Sequence, residues 1–176
     1  MNHRQVITTM GAKSADELGM ILPHEHVFVD LRSMDTPGFA EAHPADVIAL
    51  MAPEIERARS LGISAIVECT PVGVGRRADI LKAVSDATAY PLIVPTGIYR
   101  EPWIPAWAQQ ASMDFLRDWM LGELQDEIEQ SGVRAGWIKL SAGDDGITPT
   151  EAKILRAASA AGIVTDAVIG LSLIHI

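Results

Sequence analysis

Cysteine is nearly absent from this 176-residue sequence, where Cys69 stands alone. That excludes an internal disulfide and any multi-cysteine metal site, and it fits a reducing compartment. No stretch approaches the roughly 18 uninterrupted apolar residues of a membrane span, and MNHRQVITTMG at the start has no apolar core of signal-peptide length. A cytoplasmic location is therefore the expectation. The 14 Lys and Arg residues form no basic stripe and sit within a net charge of -9, which argues against duplex nucleic acid or an anionic membrane as a partner. Three motifs are missing as well. No G-x-G-x-x-G opens a helix after the first strand, GVGRR at 73 to 77 lacks the Lys-Ser/Thr ending of a P-loop, and no G-x-S-x-G marks a serine nucleophile.

What is present describes a globular chain, 48% hydrophobic and 21% charged, long enough for one domain with a real core. Short apolar runs rich in β-branched residues recur: MILPHEHVFVD (20 to 30), SAIVECT (64 to 70), PLIVPTG (91 to 97), AGWIKLS (135 to 141) and IVTDAVIG (163 to 170). Their near-continuous apolar character suits strands covered on both faces, as in a parallel sheet. Between them the pattern predicts helices. One is ADVIALMAPEIERARSLG, with Pro53 expected to divide it and Gly62 to end it; the next is ADILKAVSDAT. A third covers much of MDFLRDWMLGELQDEIEQSG up to Gly132, and a fourth is opened by Thr148, Pro149 and Glu151 as a capping box. Alternation of this kind fits either an open doubly wound sheet or a (β/α) barrel. Pattern alone slightly favours the open sheet, because a complete barrel typically needs about 250 residues.

In either fold, ligands bind at the C-terminal ends of the strands. His24 and His26, Glu68 to Thr70, Thr96 to Tyr99, and Lys139 all fall at such ends. In LPHEHVFVD an extended backbone turns His24 and His26 to one side and Glu25 to the other. Two imidazoles side by side are half of a metal site for zinc or a related divalent ion, or simply a hydrogen-bonded surface pair. Lys139, flanked by Trp137, Ile138 and Leu140, must snorkel, pair with a carboxylate, become neutral or be modified. A neutral amine there could take up carbon dioxide as a carbamate able to bridge two metal ions. Such a centre lowers the pKa of a bridging water so that hydroxide attacks an ester. Cys69, after the apolar AIVE, reads as inert packing.

Four stretches, LGMILPHEHVFVDLR (18 to 32), ECTPVGVGRRADIL (68 to 81), TGIYREPWIP (96 to 105) and AGWIKLSAGDDGITPTEAKILRAA (135 to 158), resemble the phosphotriesterase family of the amidohydrolase superfamily. The resemblance implies a (β/α)8 barrel, of which residues 1 to 170 would be the N-terminal portion with about five strands. It also implies two divalent metal ions, zinc by expectation, and a small-molecule ester, lactone or phosphotriester as substrate. His24 and His26 match the pair that binds the more buried metal. Lys139 matches the lysine whose carbamate bridges both ions and thereby serves catalysis, and Tyr99 resembles a rim aromatic of the lactonase-like members. The family's remaining ligands come from the fifth, sixth and eighth strands. Here Leu171 and Ser172 stand where the fifth-strand histidine is expected, and His175 comes too late to take its place. Residues 171 to 176 thus read as an off-pattern tail. A chain so composed is expected to be inactive by itself unless a homo-oligomer or a second half completes the barrel. The competing reading is a non-catalytic α/β module that keeps the motifs by descent.

Overall fold

The computed structural model describes residues 5 to 173. A short antiparallel hairpin, β1 (Gln5–Thr8) and β2 (Gly11–Ser14), precedes the first expected element. It seals one end of the sheet: Thr9 N–H donates to the Leu92 carbonyl at 2.9 Å, and Thr9 Oγ1 meets Ser85 Oγ at 2.6 Å. Then strand and helix alternate as β3 (Met20–Glu25), α1 (Pro44–Ser60), β4 (Ile63–Glu68), α2 (Ala78–Thr88), β5 (Leu92–Ile93) and β6 (Pro95–Thr96). Two helices follow, α3 (Ala106–Gln110) and α4 (Met113–Gln125), and then β7 (Trp137–Ala142), α5 (Pro149–Thr165) and β8 (Ile169–Leu173).

All pairings from β3 onward are parallel, in the orders β3-β4-β5 and β6-β7-β8. The third barrel strand is split around Val94, whose carbonyl accepts from Gly136 N at 2.8 Å. It thereby passes from pairing with β4 to pairing with β7. Beyond the split it rejoins the second strand, with Val72 N donating to Gly97 O at 3.0 Å and Tyr99 N to Val72 O at 2.9 Å. Strand order never reverses, so the sheet is an arc of a (β/α)8 barrel and not the open doubly wound alternative. The arc does not close, and Met20 and Ile21 of the first strand remain exposed. Its main core lies between strands and helices, where Ile66, Leu92, Ile138 and Leu140 meet Ile55, Ile80, Leu116 and Ile154. No helix among the described residues is long and apolar enough to cross a membrane.

Several boundaries differ from expectation for identifiable reasons. The first strand ends at Glu25 and not at Asp30. Asp30 instead organises a loop, accepting from Arg32 side-chain nitrogens and from Ala40 N at 2.9 Å. Pro53 does not divide its helix; α1 runs unbroken through it, on a face where both Pro53 and Ala49, the residue whose carbonyl goes unbonded, are exposed to water. The third long helix stops at Gln125, because Asp126 leaves helical geometry and Glu129, Gln130 and Gly132 adopt positive φ. Residues 163 to 165, expected in a strand, finish α5, and the strand begins only at Ile169. The capping box forms as expected, with Glu151 N donating to Thr148 Oγ1 at 3.1 Å and Thr148 N to Glu151 Oε2 at 2.9 Å.

GVGRR ends in a structural clamp. Arg76 is buried and donates through both terminal nitrogens to Glu123 of α4, at 2.6 and 2.7 Å, and to Glu129 at 2.8 Å. Thr96 Oγ1 donates to the same Glu123 carboxylate at 2.6 Å. The pair ties the loop after β4 to β6 and α4. Glu123→Ala would leave the buried guanidinium without its main partner, and a loss of about 3–5 kcal/mol is expected in urea unfolding. A loss below ~1 kcal/mol would show that Glu129 alone suffices.

Asp30 yields a pH prediction. Arg32 and the Ala40 N–H hold its carboxyl below the ordinary value of 3.8. A depressed carboxylate contributes stability that is full above that value and is lost as pH falls through the folded-state pKa. Unfolding curves collected from neutral pH downward should therefore show the chain weakening below about pH 4, and Asp30→Asn weakening less. Parallel curves for the two proteins would contradict the assignment.

Candidate metal centre

Parallel pairing delivers four strand ends to one rim. His24 is in β3 and His26 is the first residue beyond it. Their rings lie 5.5 Å apart between centroids, edge to face at 67°. Both are exposed. Both imidazoles are held below their ordinary proton affinity, His24 by burial and then by the Lys139 charge, His26 by burial and then by the charges of His24 and Lys139. The neutral form, which is the form that can bind a metal, is thus favoured.

Lys139 comes from β7 and is only 5% exposed. Its neighbours along the strand, Ile138 and Leu140, belong to the core under the helices, so alternation sends Lys139 to the other face together with Trp137. The ammonium lies 5.8 Å from the Trp137 ring centroid, and burial lowers its pKa. Of the options left open by the sequence, snorkelling is overturned by the small exposure, and no carboxylate pairs with this lysine among the described residues. A poorly solvated amine that gives up its proton more readily than usual remains.

Glu68 and Thr70, at the end of β4, carry more of the arrangement than the sequence disclosed. Glu68 has no exposed surface; its Oε2 accepts from Val27 N at 2.7 Å, and its Oε1 accepts from Thr70 N at 2.9 Å and from the Thr70 hydroxyl. Burial outweighs these donors and raises its pKa to about 7. Thr70 Oγ1 is in turn 2.8 Å from His26 Nδ1. Cys69 between them is buried, and burial pushes its thiol up to about 11, which agrees with a packing role. The signal in the sequence was a glutamate and a threonine two apart at an apolar strand end, but nothing there showed that they reach His26.

Tyr99, on the loop after β6, packs edge to face on Trp103 at 5.7 Å, with the Arg100 guanidinium 5.9 Å from its ring. The third strand is held close to the lysine strand by Gly97, whose φ of +113° and lack of a side chain let it lie against the Lys139 carbonyl. On the fifth strand, Gly170 pairs with Lys139, while Leu171, Ser172 and Leu173 continue β8 opposite Leu140, Ser141 and Ala142. The first three residues of the expected tail are therefore sheet, and His175 lies outside the described residues. No three of His, Cys, Asp and Glu converge to hold a metal among the described residues. His24, His26 and Lys139 are a set of two imidazoles and an amine.

Strands in sequential parallel order with helices outside define the class as a partial (β/α)8 barrel, a fold in which ligand sites lie at the carboxyl rim. The Phosphotriesterase family pattern matches residues 4–172, and the chain belongs to that family. It is 28% identical over 145 residues to an aryldialkylphosphatase of Saccharolobus solfataricus, covering 82% of this chain and 46% of that protein. A phosphotriesterase homology protein of Escherichia coli is 27% identical over 149 residues, covering 84% and 50%. Among solved structures, the organophosphorus hydrolase from Deinococcus radiodurans superposes with a TM-score of 0.86 at 30% identity, covering 97% of this chain and 54% of that one. A weak promiscuous lactonase template engineered for organophosphate hydrolysis gives 0.87 at 29%, covering 97% and 55%. The chain thus spans about half the length of these relatives.

Gly97 tests the geometry directly. A Cβ there would sit 2.1 Å from the Lys139 carbonyl oxygen, so Gly97→Ala must separate the third and fourth strands or strain the backbone. A stability loss above ~3 kcal/mol, or a chain that no longer folds, is expected in denaturant titration. An alanine variant within ~0.5 kcal/mol of the parent would contradict the close approach.

Proposed function

We propose that the barrel to which these strands belong is a metal-dependent hydrolase of ester-type bonds, in lactones, carboxylic esters or phosphotriesters, and that His24, His26 and Lys139 are this chain's share of a two-ion centre. The observation that carries the reading is Lys139: a buried amine with lowered proton affinity and no carboxylate partner among the described residues, whose charge acts on two favoured-neutral imidazoles at the same rim. Membership of the phosphotriesterase family supports it.

The donor set suits the group. Neutral imidazoles are good ligands for zinc, and a neutral amine can react with carbon dioxide. In that reaction the Lys139 Nζ lone pair forms a C–N bond to the carbon of carbon dioxide, one C=O π pair moves to oxygen, and the nitrogen loses a proton to solvent. The product is an anionic carbamate with two oxygens to offer. When bound, divalent ions would supply Lewis-acid polarisation of the substrate oxygen and a lowered water pKa. The chain's own residues do the rest: His24 and His26 fix the position of one ion, and the burial of Lys139 keeps the modified side chain out of bulk water. Tyr99 stands at the rim on the Trp103 ring, where it can bound the space for a small acyl or phosphoryl substrate. Its resemblance to the lactonase-like aromatic favours lactones and carboxylic esters.

Cobalt titration of the 176-residue chain with bicarbonate, read by visible absorbance and by bound metal after desalting, tests the ligand set. His26→Ala and Lys139→Ala should each weaken binding by about 10-fold or more. Equal cobalt uptake by a His24→Ala/His26→Ala double variant would exclude these residues as the site. Turnover of lactones, aryl esters and a phosphotriester by this chain alone is expected to be at or near background. Two metals per chain, with turnover that Lys139→Ala abolishes, would overturn that expectation.

A further inference from the structure

We infer that Glu68 and Thr70 are positioning residues that set the tautomer of His26, wiring its Nδ1 as the protonated nitrogen and leaving the Nε2 lone pair for a ligand. The inference uses the metal-centre reading for its purpose, while its geometry stands apart from that reading. Both oxygens of the Glu68 carboxylate act as acceptors: Oε2 takes the Val27 N–H at 2.7 Å, and Oε1 takes the Thr70 N–H at 2.9 Å together with the Thr70 hydroxyl proton. A threonine hydroxyl has a single proton. Where Glu68 is ionised and takes that proton, Oγ1 can only accept from the nitrogen 2.8 Å away, and His26 Nδ1 carries the hydrogen.

One buried carboxylate therefore holds His26 twice. It grips the backbone through the N–H of the next residue, Val27, and the ring through the Thr70 hydroxyl. Glu68 itself cannot swing away, because it has no exposed surface and sits where Glu25 of β3 pairs with it in register. A histidine that donates one ring N–H to a fixed acceptor is more basic at the other nitrogen and has its ring plane set, which is the usual support for a metal-binding imidazole. The E-x-T spacing at the end of β4 is thus part of the site. A valine at position 70 would fill the same space and lose the relay. A serine would keep it.

Long-range proton–nitrogen NMR of the full chain, metal-free and labelled at histidine nitrogens, reads the tautomer directly at about pH 8, above the ordinary imidazole range. His26→Asn assigns the resonance. The parent chain and Thr70→Ser should show His26 as Nδ1–H, and Thr70→Val should move it toward Nε2–H. Zinc affinity should fall about 10 to 100-fold in Thr70→Val and recover in Thr70→Ser. An Nε2–H tautomer in the parent would overturn the inference, as would a Thr70→Val chain with unchanged tautomer. If Thr70→Val fails to fold, the parent spectrum decides alone. A fixed Nδ1–H tautomer in a chain that takes up no zinc would uphold the relay and sink the metal reading; an Nε2–H tautomer in a zinc-binding chain would do the reverse.

Discussion

Parallel pairing is the constraint on which everything else in this chain rests. Two parallel strands cannot be joined by a tight turn, so each must be followed by a crossover that returns to the starting end of the sheet. The crossovers here contain α1, α2, the α3–α4 pair and α5, and their apolar faces make the core with Ile66, Leu92, Ile138 and Leu140. Every strand then finishes on one rim. His24, Glu68, Tyr99 and Lys139 are far apart in sequence and come together because each lies at or near the carboxyl end of a neighbouring strand.

Inside that frame the buried charges are few, and they are treated in two ways. Arg76 and Glu123 are joined through both terminal guanidinium nitrogens, and their clamp joins loop, strand and helix. Glu68 and Lys139 are buried and, among the described residues, have no opposite charge in salt-bridge contact apart from the half-exposed His26 beside Glu68; burial shifts both toward neutrality. A stabilising pair has its compensation built in, whereas an uncompensated buried group raises the free energy of the fold unless it is used. A third, Glu151, is taken up by backbone N–H groups of Thr148 and Glu101, whereas Glu68 and Lys139 act on His26 and His24. This asymmetry separates the structural part of the polar interior from the part the proposed centre would use.

The arc also has open edges. β3 and β8 each lack an outer neighbour among the described residues, and Met20, Ile21 and Leu171 are exposed along them. Such edges present unpaired backbone groups and apolar side chains for further strands. The relatives, about twice as long, superpose over nearly all of this chain. The first strand bears both imidazoles, so whatever covers its free edge also bounds the candidate site.

The sequence by itself determined the alternation of strands and helices, the Thr148 capping box and the adjacency of His24 and His26, and it left the burial of Lys139 open. Each of the features it determined follows from hydrophobic pattern or from residues within a few positions of one another. On pattern alone it slightly favoured the open sheet over the barrel, since local pattern fixes that a strand is buried and not which strand lies beside it. It misplaced the ends of β3, α4 and α5, and it divided α1 at Pro53, because loop hydrogen bonds such as those of Asp30 and the solvent exposure of Ala49 and Pro53 are not local pattern either. The contacts of His26 with Glu68 and Thr70 and the Arg76–Glu123 clamp join residues 42 or more positions apart. Only tertiary structure decided them, because the free energy of burying a polar group depends on which partner the fold brings within hydrogen-bond reach.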